Sequence, residues 1–231
     1  AWRANAVPVA EFALAQILLA AKGYFGAQAA MRMSREKAAA FAAAHTGMYD
    51  VKVGLLGCGA IGRMVAERLN MFACDVWVYD PFVKDEVLEE LGARRATMEE
   101  IFAQCEIVSN HLANLPATRG IIKRAHFFSM RESATFINTG RGAQLNEDDL
   151  CDALNEKPRA TALLDVLLDE AHSADSPLNA LPNCLLTPQI AGSMGTEVRR
   201  MAEYMIEACA RFRAGDVPVH EVTLPMLETM A

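Results

Sequence analysis

The sequence predicts an α/β fold in which a parallel β-sheet carries helices on both faces. From Val51 onward, apolar runs of strand length alternate regularly with stretches of helix length. The chain has 231 residues, 52% of them apolar, and a mean hydropathy of +0.12, which is enough to bury a substantial core. We therefore expect a doubly wound parallel sheet to make up most of the molecule.

A helical arm precedes the predicted sheet. Residues 9–33 are rich in Ala and Leu and contain few helix breakers, which predicts one long helix, and we assign residues 1–46 to the arm. The apolar segment VAEFALAQILLAA is interrupted by Glu11 and Gln16 and followed by Lys22, so it falls short of the roughly 18 uninterrupted apolar residues typical of a membrane span.

Strands and helices then alternate to the end of the sheet. The predicted strands are VKVGLLG, CDVWVYD, EIVSNHL, ATFINTG, ATALLDV and NCLLTPQI, and the predicted helices are AIGRMVAERLNM, KDEVLEELG, TMEEIFAQC, RGIIKRAHFFSM and EDDLCDALNEK. Thr97 and Glu100 form a capping-box pattern, and Asn146 and Ser193 are candidate N-caps. A last helix, EVRRMAEYMIEACARFRAG, ends at Gly215 and is followed by a tail.

Charge and cysteine content narrow the classes of partner. The formal net charge is −7 and there is no basic block, which argues against a nucleic-acid surface and favours a small ligand. The six cysteines are scattered singly, with no CxxC pair and no Cys/His set at metal-ligand spacing, which predicts free thiols and no metal. Because no targeting peptide is visible, we expect a cytoplasmic protein.

A glycine motif lies between the first predicted strand and its helix. VKVGLLGCGAIGR places Gly57, Gly59 and Gly62 in the pattern GxGxxG. The first glycine permits a tight turn, the second lets a pyrophosphate approach the backbone, and the third lets the helix pack on the sheet. This context predicts a Rossmann-type, dinucleotide-binding domain.

An acidic residue ends the second strand. Asp80 lies about 20 residues beyond the glycines, where a carboxylate can bind a ribose 2'-hydroxyl. Pro81 and Phe82 follow it, so the local sequence places no cation to accept a 2'-phosphate. The predicted cofactor is therefore NAD rather than NADP.

Polar residues also follow the later strands, where a doubly wound sheet binds its ligand: His111, Arg141, Asp165 and Gln189. The segments HLANLPATRGII, ATFINTGRGAQLNEDDL, ALLDVLLDE and LPNCLLTPQIAGS, in this order after the glycine motif, resemble the D-isomer-specific 2-hydroxyacid dehydrogenase family. The resemblance covers nearly the whole chain and is to the NAD-binding domain of phosphoglycerate dehydrogenase-like members. It implies an oxidoreductase that moves a hydride between NADH and a small 2-oxo acid.

The resemblance also implies roles for individual residues. Arg141 grips the substrate carboxylate and carbonyl, for which a forked guanidinium is suited. Asp165 holds the nicotinamide carboxamide, and Glu170 matches an acid that orients a catalytic histidine. Further cofactor contacts are implied for Ala60 and Ile61 at the pyrophosphate, for His111, Leu112 and Ala113 beside the adenosine, for Thr118, and for Thr139 and Gly140 near the nicotinamide.

The sequence departs from the family pattern TPHIAG at the proton donor. Gln189 stands where the family has its catalytic histidine, and an amide can polarise a ketone but cannot release a proton near neutral pH. His172 could substitute, although an exposed loop histidine explains it equally well. Three readings stay open: a 2-hydroxyacid dehydrogenase, a catalytically weak NAD(H)-binding sensor or regulator, and a dehydrogenase of formate-like or phosphite-like substrates that needs no proton donor.

A second departure concerns the start of the chain. Family members begin with a separate substrate domain of about 100 residues or more, followed by a helix resembling NAVPVAEFALAQILLA. We expect that domain to be missing here, residues 1–195 to form the NAD-binding domain, and residues 196–231 to cross back to the missing domain. In the family the arm also packs on a second subunit, so residues 9–33 form a candidate homodimer surface, with packing on their own sheet as an equal alternative.

Overall fold

The computed structural model describes residues 2–228 and 230, and of residues 172–174 it describes the backbone only. The strands in the described chain are β1 (Lys52–Leu56), β2 (Asp75–Tyr79), β3 (Arg94–Arg95), β4 (Ile107–Asn110), β5 (Thr135–Asn138), β6 (Thr161–Leu164) and β7 (Cys184–Leu186). All of them pair in parallel in one sheet, in the order β3-β2-β1-β4-β5-β6-β7. The predicted doubly wound α/β fold is confirmed.

Helices cover both faces of this sheet. The α-helices are α1 (Trp2–Ala21), α2 (Tyr24–Met31), α3 (Arg35–Ala42), α4 (Ala60–Leu69), α5 (Asp85–Glu90), α6 (Met98–Gln104), α7 (Arg124–Ser129), α8 (Glu147–Glu156) and α9 (Glu197–Ala214). Helices α1, α4 and α5 share one apolar core with the sheet, and α6, α7 and α8 share the other.

Alternate residues of each strand supply the two cores, because successive side chains of a strand point to opposite faces. Val53 and Leu55 of β1 pack with α1 and α4, whereas Leu56 packs on the α6 side. A Cβ on Gly54 would lie 2.3 Å from the Ile101 side chain, so a glycine at this position lets α6 lie close to β1.

The helical arm is not one helix, so the prediction of a single helix over residues 9–33 is wrong. The arm turns at Gly23, which has a φ of 62° and separates α1 from α2. Helix α3 starts separately at Arg35, with the Ser34 hydroxyl accepting a hydrogen bond from the Lys37 N–H. A glycine suits this turn because it adopts a positive φ without a steric penalty.

Helix α1 packs on its own sheet. It has the length and apolar composition of a membrane-spanning helix, a property it shares with the core helices of many folded domains. Its residues Ala10, Ala13 and Ile17 are fully buried, and it contacts α4, β4 and β5. The apolar composition of α1 therefore serves core packing.

Several predicted boundaries change. The capping box of Thr97 with Glu100 and the N-cap at Asn146 are confirmed. Ser193 does not cap α9, because that helix begins after Thr196 and the Ser193 N–H donates to Asn5 of α1 instead. The predicted helix RGIIKRAHFFSM starts only at Arg124, the strand predicted over NCLLTPQI is limited to β7, and β3 was not predicted.

Candidate dinucleotide and substrate site

The candidate site lies at the carboxyl end of β1, where the sheet order reverses. Strand β1 pairs with β2 on one side and with β4 on the other, so the chain leaves β1 and β4 in opposite directions across the sheet. Such a switch point leaves a crevice between the loops that follow the two strands. The GxGxxG segment follows β1, and residues 111–118 follow β4.

The three glycines have different surroundings in the crevice. Gly57 has a φ of 93°, and a Cβ there would lie 2.7 Å from the His111 carbonyl oxygen. A Cβ on Gly62 would lie 2.0 Å from the Gly57 carbonyl oxygen, whereas a Cβ on Gly59 would meet nothing within 4 Å. Gly57 and Gly62 are therefore required by backbone packing, and Gly59 faces open space at the start of α4.

Ala60 and Ile61 form the first turn of α4, and their position fits a bound pyrophosphate. The N-terminus of this helix carries no side-chain cap, so no side chain occupies the first N–H groups of α4, which begins directly after Gly59. Burial raises the pKa of the neighbouring Cys58 thiol to about 11, so this side chain adds no negative charge beside the glycine turn. Together with the open space over Gly59, these groups fit the diphosphate of a dinucleotide.

Asp80 is held rigidly beside the glycine turn. Its Oδ2 accepts a hydrogen bond of 2.7 Å from the Cys58 N–H, and its Oδ1 accepts from the N–H groups of Phe82 and Val83 at 2.8 and 3.0 Å. These bonds join the end of β2 to the end of β1 and fix the carboxylate at the edge of the crevice. The sequence predicted that an acidic side chain at this position binds the ribose of the cofactor.

An arginine that the sequence interpretation missed lies next to Asp80. Arg95 of β3 donates from Nη1 to the Asp80 carbonyl oxygen at 3.0 Å and from Nη2 to the Val83 carbonyl oxygen at 2.6 Å. It also pairs with Asp85 at 2.6 Å. The residues that follow Asp80 carry no cation, as the sequence indicated, but β3 brings one to the same turn from a neighbouring strand.

The loop after β4 carries four of the predicted cofactor contacts, namely His111, Leu112, Ala113 and Thr118. Burial lowers the pKa of His111 to about 4, so its imidazole is neutral at pH 7, where it contacts the Ser109 hydroxyl at 3.0 Å. The Thr118 hydroxyl donates to the Ala113 carbonyl oxygen at 2.6 Å and fixes the loop beyond Leu112. A neutral, buried His111 fits a structural position beside the crevice better than a proton donor.

Three buried amide side chains join this loop to the loop after β5. Asn110 Nδ2 donates to Gln144 Oε1 at 2.7 Å and to Asn138 Oδ1 at 3.0 Å. Gln144 Nε2 donates to the carbonyl oxygens of Leu112 and Ala113 at 2.8 and 3.0 Å. All three amides have no exposed surface, so the network fixes the spacing of the two loops.

The same amides set the backbone of the predicted substrate arginine. The Arg141 N–H donates to Gln144 Oε1 at 3.1 Å, and the Gly140 N–H donates to Asn138 Oδ1 at 3.0 Å. The guanidinium of Arg141 is exposed and donates to the Gly140 carbonyl oxygen at 2.7 Å. The sequence predicted Thr139, Gly140 and Arg141 as site residues but gave no role to the amides that hold them.

Asp165 organises the segment that contains Gln189. Its Oδ1 accepts from the Thr187 hydroxyl at 2.6 Å and from the Ile190 N–H at 2.9 Å, and its Oδ2 accepts from the Ala191 N–H at 2.9 Å. Gln189 has a φ of 53°, a left-handed conformation that is uncommon for a residue other than glycine. Strain of this kind is often retained where a side chain must be presented to a site.

A cavity of about 520 Å³ opens beside this segment. Its described lining includes Asp165, Leu167, Glu170, Asn179, Thr187 and Gln189. The structure thus brings Glu170 and Gln189 to one cavity, as the sequence predicted. Arg141 is not part of that described lining, but its loop adjoins it, since a Cβ on Gly142 would lie 2.0 Å from the carbonyl carbon of Leu167. The His172 side chain lies outside the described residues.

No cluster of three or more metal-binding side chains occurs in the part of the chain that the structure describes. The six cysteines are free thiols, as the sequence predicted.

A parallel sheet with a glycine turn at its switch point and a carboxylate after β2 defines a dinucleotide-binding Rossmann domain. Residues 14–191 match the family described as D-isomer specific 2-hydroxyacid dehydrogenase, NAD binding domain. The chain belongs to this family, as the resemblance implied.

Individual relatives agree with this assignment. The chain is 39% identical over 143 residues to the putative 2-hydroxyacid dehydrogenase YoaD of Bacillus subtilis, over 61% of this chain and 40% of that protein. It is 30% identical over 212 residues to D-3-phosphoglycerate dehydrogenase of Mycobacterium tuberculosis, over 92% of this chain and 40% of that protein. The chain thus spans about two fifths of the length of these curated relatives.

Solved structures share the fold. D-lactate dehydrogenase with NAD+ from Lactobacillus jensenii matches with a TM-score of 0.78 and 24% identity, over 94% of this chain and 69% of that one. The TT0316 protein from Thermus thermophilus matches with a TM-score of 0.75 and 28% identity, over 95% of this chain and 69% of that one.

The glycine geometry predicts different effects for two alanine substitutions. Gly62→Ala should lower the free energy of unfolding by about 2 kcal/mol or more, because its Cβ would collide with the Gly57 carbonyl. Gly59→Ala should lower it by no more than about 1 kcal/mol, because its Cβ meets open space and the remaining cost is that of alanine at the N-cap of α4. Urea unfolding of the two variants measures this difference, and equal losses would contradict the assigned packing.

Proposed function

We propose that this chain forms the cofactor domain of an NAD-dependent oxidoreductase that transfers a hydride between NADH and a small 2-oxo acid. The observation that carries the proposal is the shared edge of the sheet. The glycine turn with Asp80 and the cavity that contains Glu170 and Gln189 both lie at the carboxyl ends of the strands. A dinucleotide laid along this edge, with its diphosphate over Gly59, would direct its nicotinamide toward the cavity.

Each group then has a chemical task. Ala60 and Ile61 N–H groups hold the diphosphate, and Asp80 accepts a hydrogen bond from the adenosine ribose. Bound NADH supplies the hydride. Arg141 binds the carboxylate of the 2-oxo acid, and Gln189 donates an amide hydrogen bond that polarises its carbonyl. A negative charge beside the ribose favours NAD over NADP, because it repels a 2'-phosphate.

Replacing the substrate arginine should separate substrate binding from cofactor binding. In the complete protein, Arg141→Ala should lower kcat/KM for a 2-oxo acid by about 10²-fold or more, because the carboxylate loses its charged partner. The Kd for NADH should change by less than about twofold, because the guanidinium is assigned to substrate. Steady-state kinetics and calorimetric titration with NADH measure the two quantities.

Arg159→Ala is the matched control, since Arg159 is an exposed arginine outside the site and its loss should change neither quantity. Loss of NADH binding in Arg141→Ala would show that Arg141 has been given the wrong role.

The proposed reaction has no side chain at position 189 that can act as a general acid. Gln189 cannot give up a proton near neutral pH, and a positioned general acid contributes about 10²- to 10⁴-fold to a rate. We therefore propose that the wild-type protein reduces 2-oxo acids slowly, with solvent water supplying the proton to the carbonyl oxygen. Glu170, on the same cavity, is available to orient a histidine at position 189.

Gln189→His should accordingly raise the rate of glyoxylate or pyruvate reduction by about 10²-fold or more. The variant should also gain a pH limb, because reduction uses the protonated imidazole: the rate is full below the imidazole pKa, ordinarily about 6.5, and falls as the pH rises through it. Kinetics between pH 5 and 9 test both expectations, and Glu170→Gln added to the variant should remove most of the gain.

A wild-type rate that is already fast, with a bell-shaped pH profile that Gln189→His leaves unchanged, would contradict this account. It would mean that another group carries the proton, and His172 would be the first residue to replace.

A second candidate reaction is favoured by the same glutamine. Removing a hydride from formate or phosphite needs no proton transfer to a carbonyl oxygen, so a glutamine at position 189 would not slow that reaction. Assaying NAD reduction with formate and phosphite beside NADH oxidation with 2-oxo acids distinguishes the two reactions. NADH binding without turnover of any of them would favour the sensor or regulator.

We also propose that the protein forms a homodimer through α2 and α3. The apolar side chains Tyr24, Met31 and Met33 are exposed there, although α1 is buried on its own sheet. An apolar groove of about 410 Å³ runs beside Tyr24 and Met31. The predicted stripe of residues 9–33 is thus divided, and its second part is the one available to a partner.

Met31→Glu should therefore convert a dimer into a monomer in sedimentation experiments, because a charge would be buried at the contact. Met71→Glu is the control, because Met71 is even more exposed, at 83% against 56%, and lies outside the arm. A wild-type protein that sediments as a monomer at micromolar concentration would refute the dimer.

A further inference from the structure

Arg95 places a positive charge at the edge of the proposed ribose pocket. It lies in β3, where it pairs in register with Val78, two residues before Asp80. Its Nη1 and Nη2 donate to the carbonyl oxygens of Asp80 and Val83, and its Nε donates to Asp85 at 2.7 Å. The guanidinium therefore lies along the same turn whose N–H groups hold the Asp80 carboxylate.

The bonds of Arg95 leave it available for another anion. Nε and one N–H of Nη2 contact the Asp85 carboxylate. The second N–H of Nη2 and one N–H of Nη1 donate to backbone carbonyl oxygens. Within the described chain, the second N–H of Nη1 has no partner. The side chains of Arg95 and Asp85 are 42% and 75% exposed, so water screens their ion pair and a competing anion can displace it.

The neighbouring arginine behaves differently and supplies a control. The guanidinium of Arg94 stacks over the Trp77 ring at 4.3 Å, and successive residues of a strand point to opposite faces. Arg94 has the same charge and adjoins Arg95 in the sequence, but it has no bond to the Asp80 turn.

We propose that Arg95 is a second determinant of cofactor choice: it is a built-in cation for a ribose 2'-phosphate, and Asp80 is the group that keeps such a phosphate out. The inference rests on the proposed NAD function and deepens it. A guanidinium binds phosphate oxygens through parallel N–H groups, and its charge does not depend on pH in the working range. The preference for NAD then reflects a balance between two opposite charges, and removing the negative one should shift that preference toward NADP.

The test is calorimetric titration of the complete protein with NAD and with NADP, because binding can be measured without turnover. The wild type should bind NAD more tightly. Asp80→Asn, which keeps the shape and one acceptor oxygen, should strengthen NADP binding by about tenfold or more, and Asp80→Ser serves the same purpose if the amide disturbs the turn.

Arg95→Met added to Asp80→Asn should abolish the gain in NADP affinity, Arg95→Lys should keep part of it, and Arg94→Met should keep all of it. Asp85→Asn added to Asp80→Asn should strengthen NADP binding further, because it frees the guanidinium. In the wild-type background, Arg95→Met should weaken NADP binding by about tenfold and should change the Kd for NAD by less than about twofold.

The ratio of the NAD and NADP affinities distinguishes a direct contact between Arg95 and the phosphate from a purely structural role of Arg95. If Arg95 only holds the turn of residues 80–83, Arg95→Met will weaken NAD and NADP by the same factor, and the inference is overturned while the NAD function stands. A wild-type protein that binds neither cofactor would overturn both. Thermal unfolding of each variant identifies a loss of affinity that comes from misfolding.

Discussion

The site depends on the close contact of three backbone segments at the carboxyl end of β1. Gly57 and Gly62 have no room for a Cβ, because the first faces the His111 carbonyl and the second faces the Gly57 carbonyl. This contact brings the start of α4 against the end of β1 and the loop after β4 against both. Between these two tightly packed glycines, Gly59 has open space above it.

Buried polar groups fix the loops that follow the neighbouring strands β4, β5 and β6. Asn110, Asn138 and Gln144 use their amides to tie the loop after β4 to the backbone of Arg141. Asp165 does the same for the segment that presents Gln189. A buried polar group costs free energy unless its hydrogen-bond partners are in place. These bonds, in addition to apolar contacts, therefore fix the positions of the loop that carries Arg141 and of the segment that carries Gln189.

The sequence predicted the parts of the site that depend on local patterns. The glycine turn, Asp80 and the strand-end residues follow from spacing along one strand and helix, and the structure places them at one edge. Arg95 was missed because β3 has only two residues and no periodic signature, yet pairing with β2 carries it to Asp80. The role of Gln144 was missed because a polar residue in a short turn looks exposed until its partners, 31 to 34 residues away, are known.

Amide hydrogen exchange with and without NADH tests most directly whether this edge is the cofactor site. The account predicts slower exchange in residues 57–62, 111–113 and 139–141 when NADH is present, because all three segments line the proposed cofactor crevice and the buried amides fix the second against the third. Exchange in α2 and α3, at the far end of the arm, should not change. Unchanged exchange in residues 57–62 at saturating NADH, or protection confined to other segments, would contradict the account.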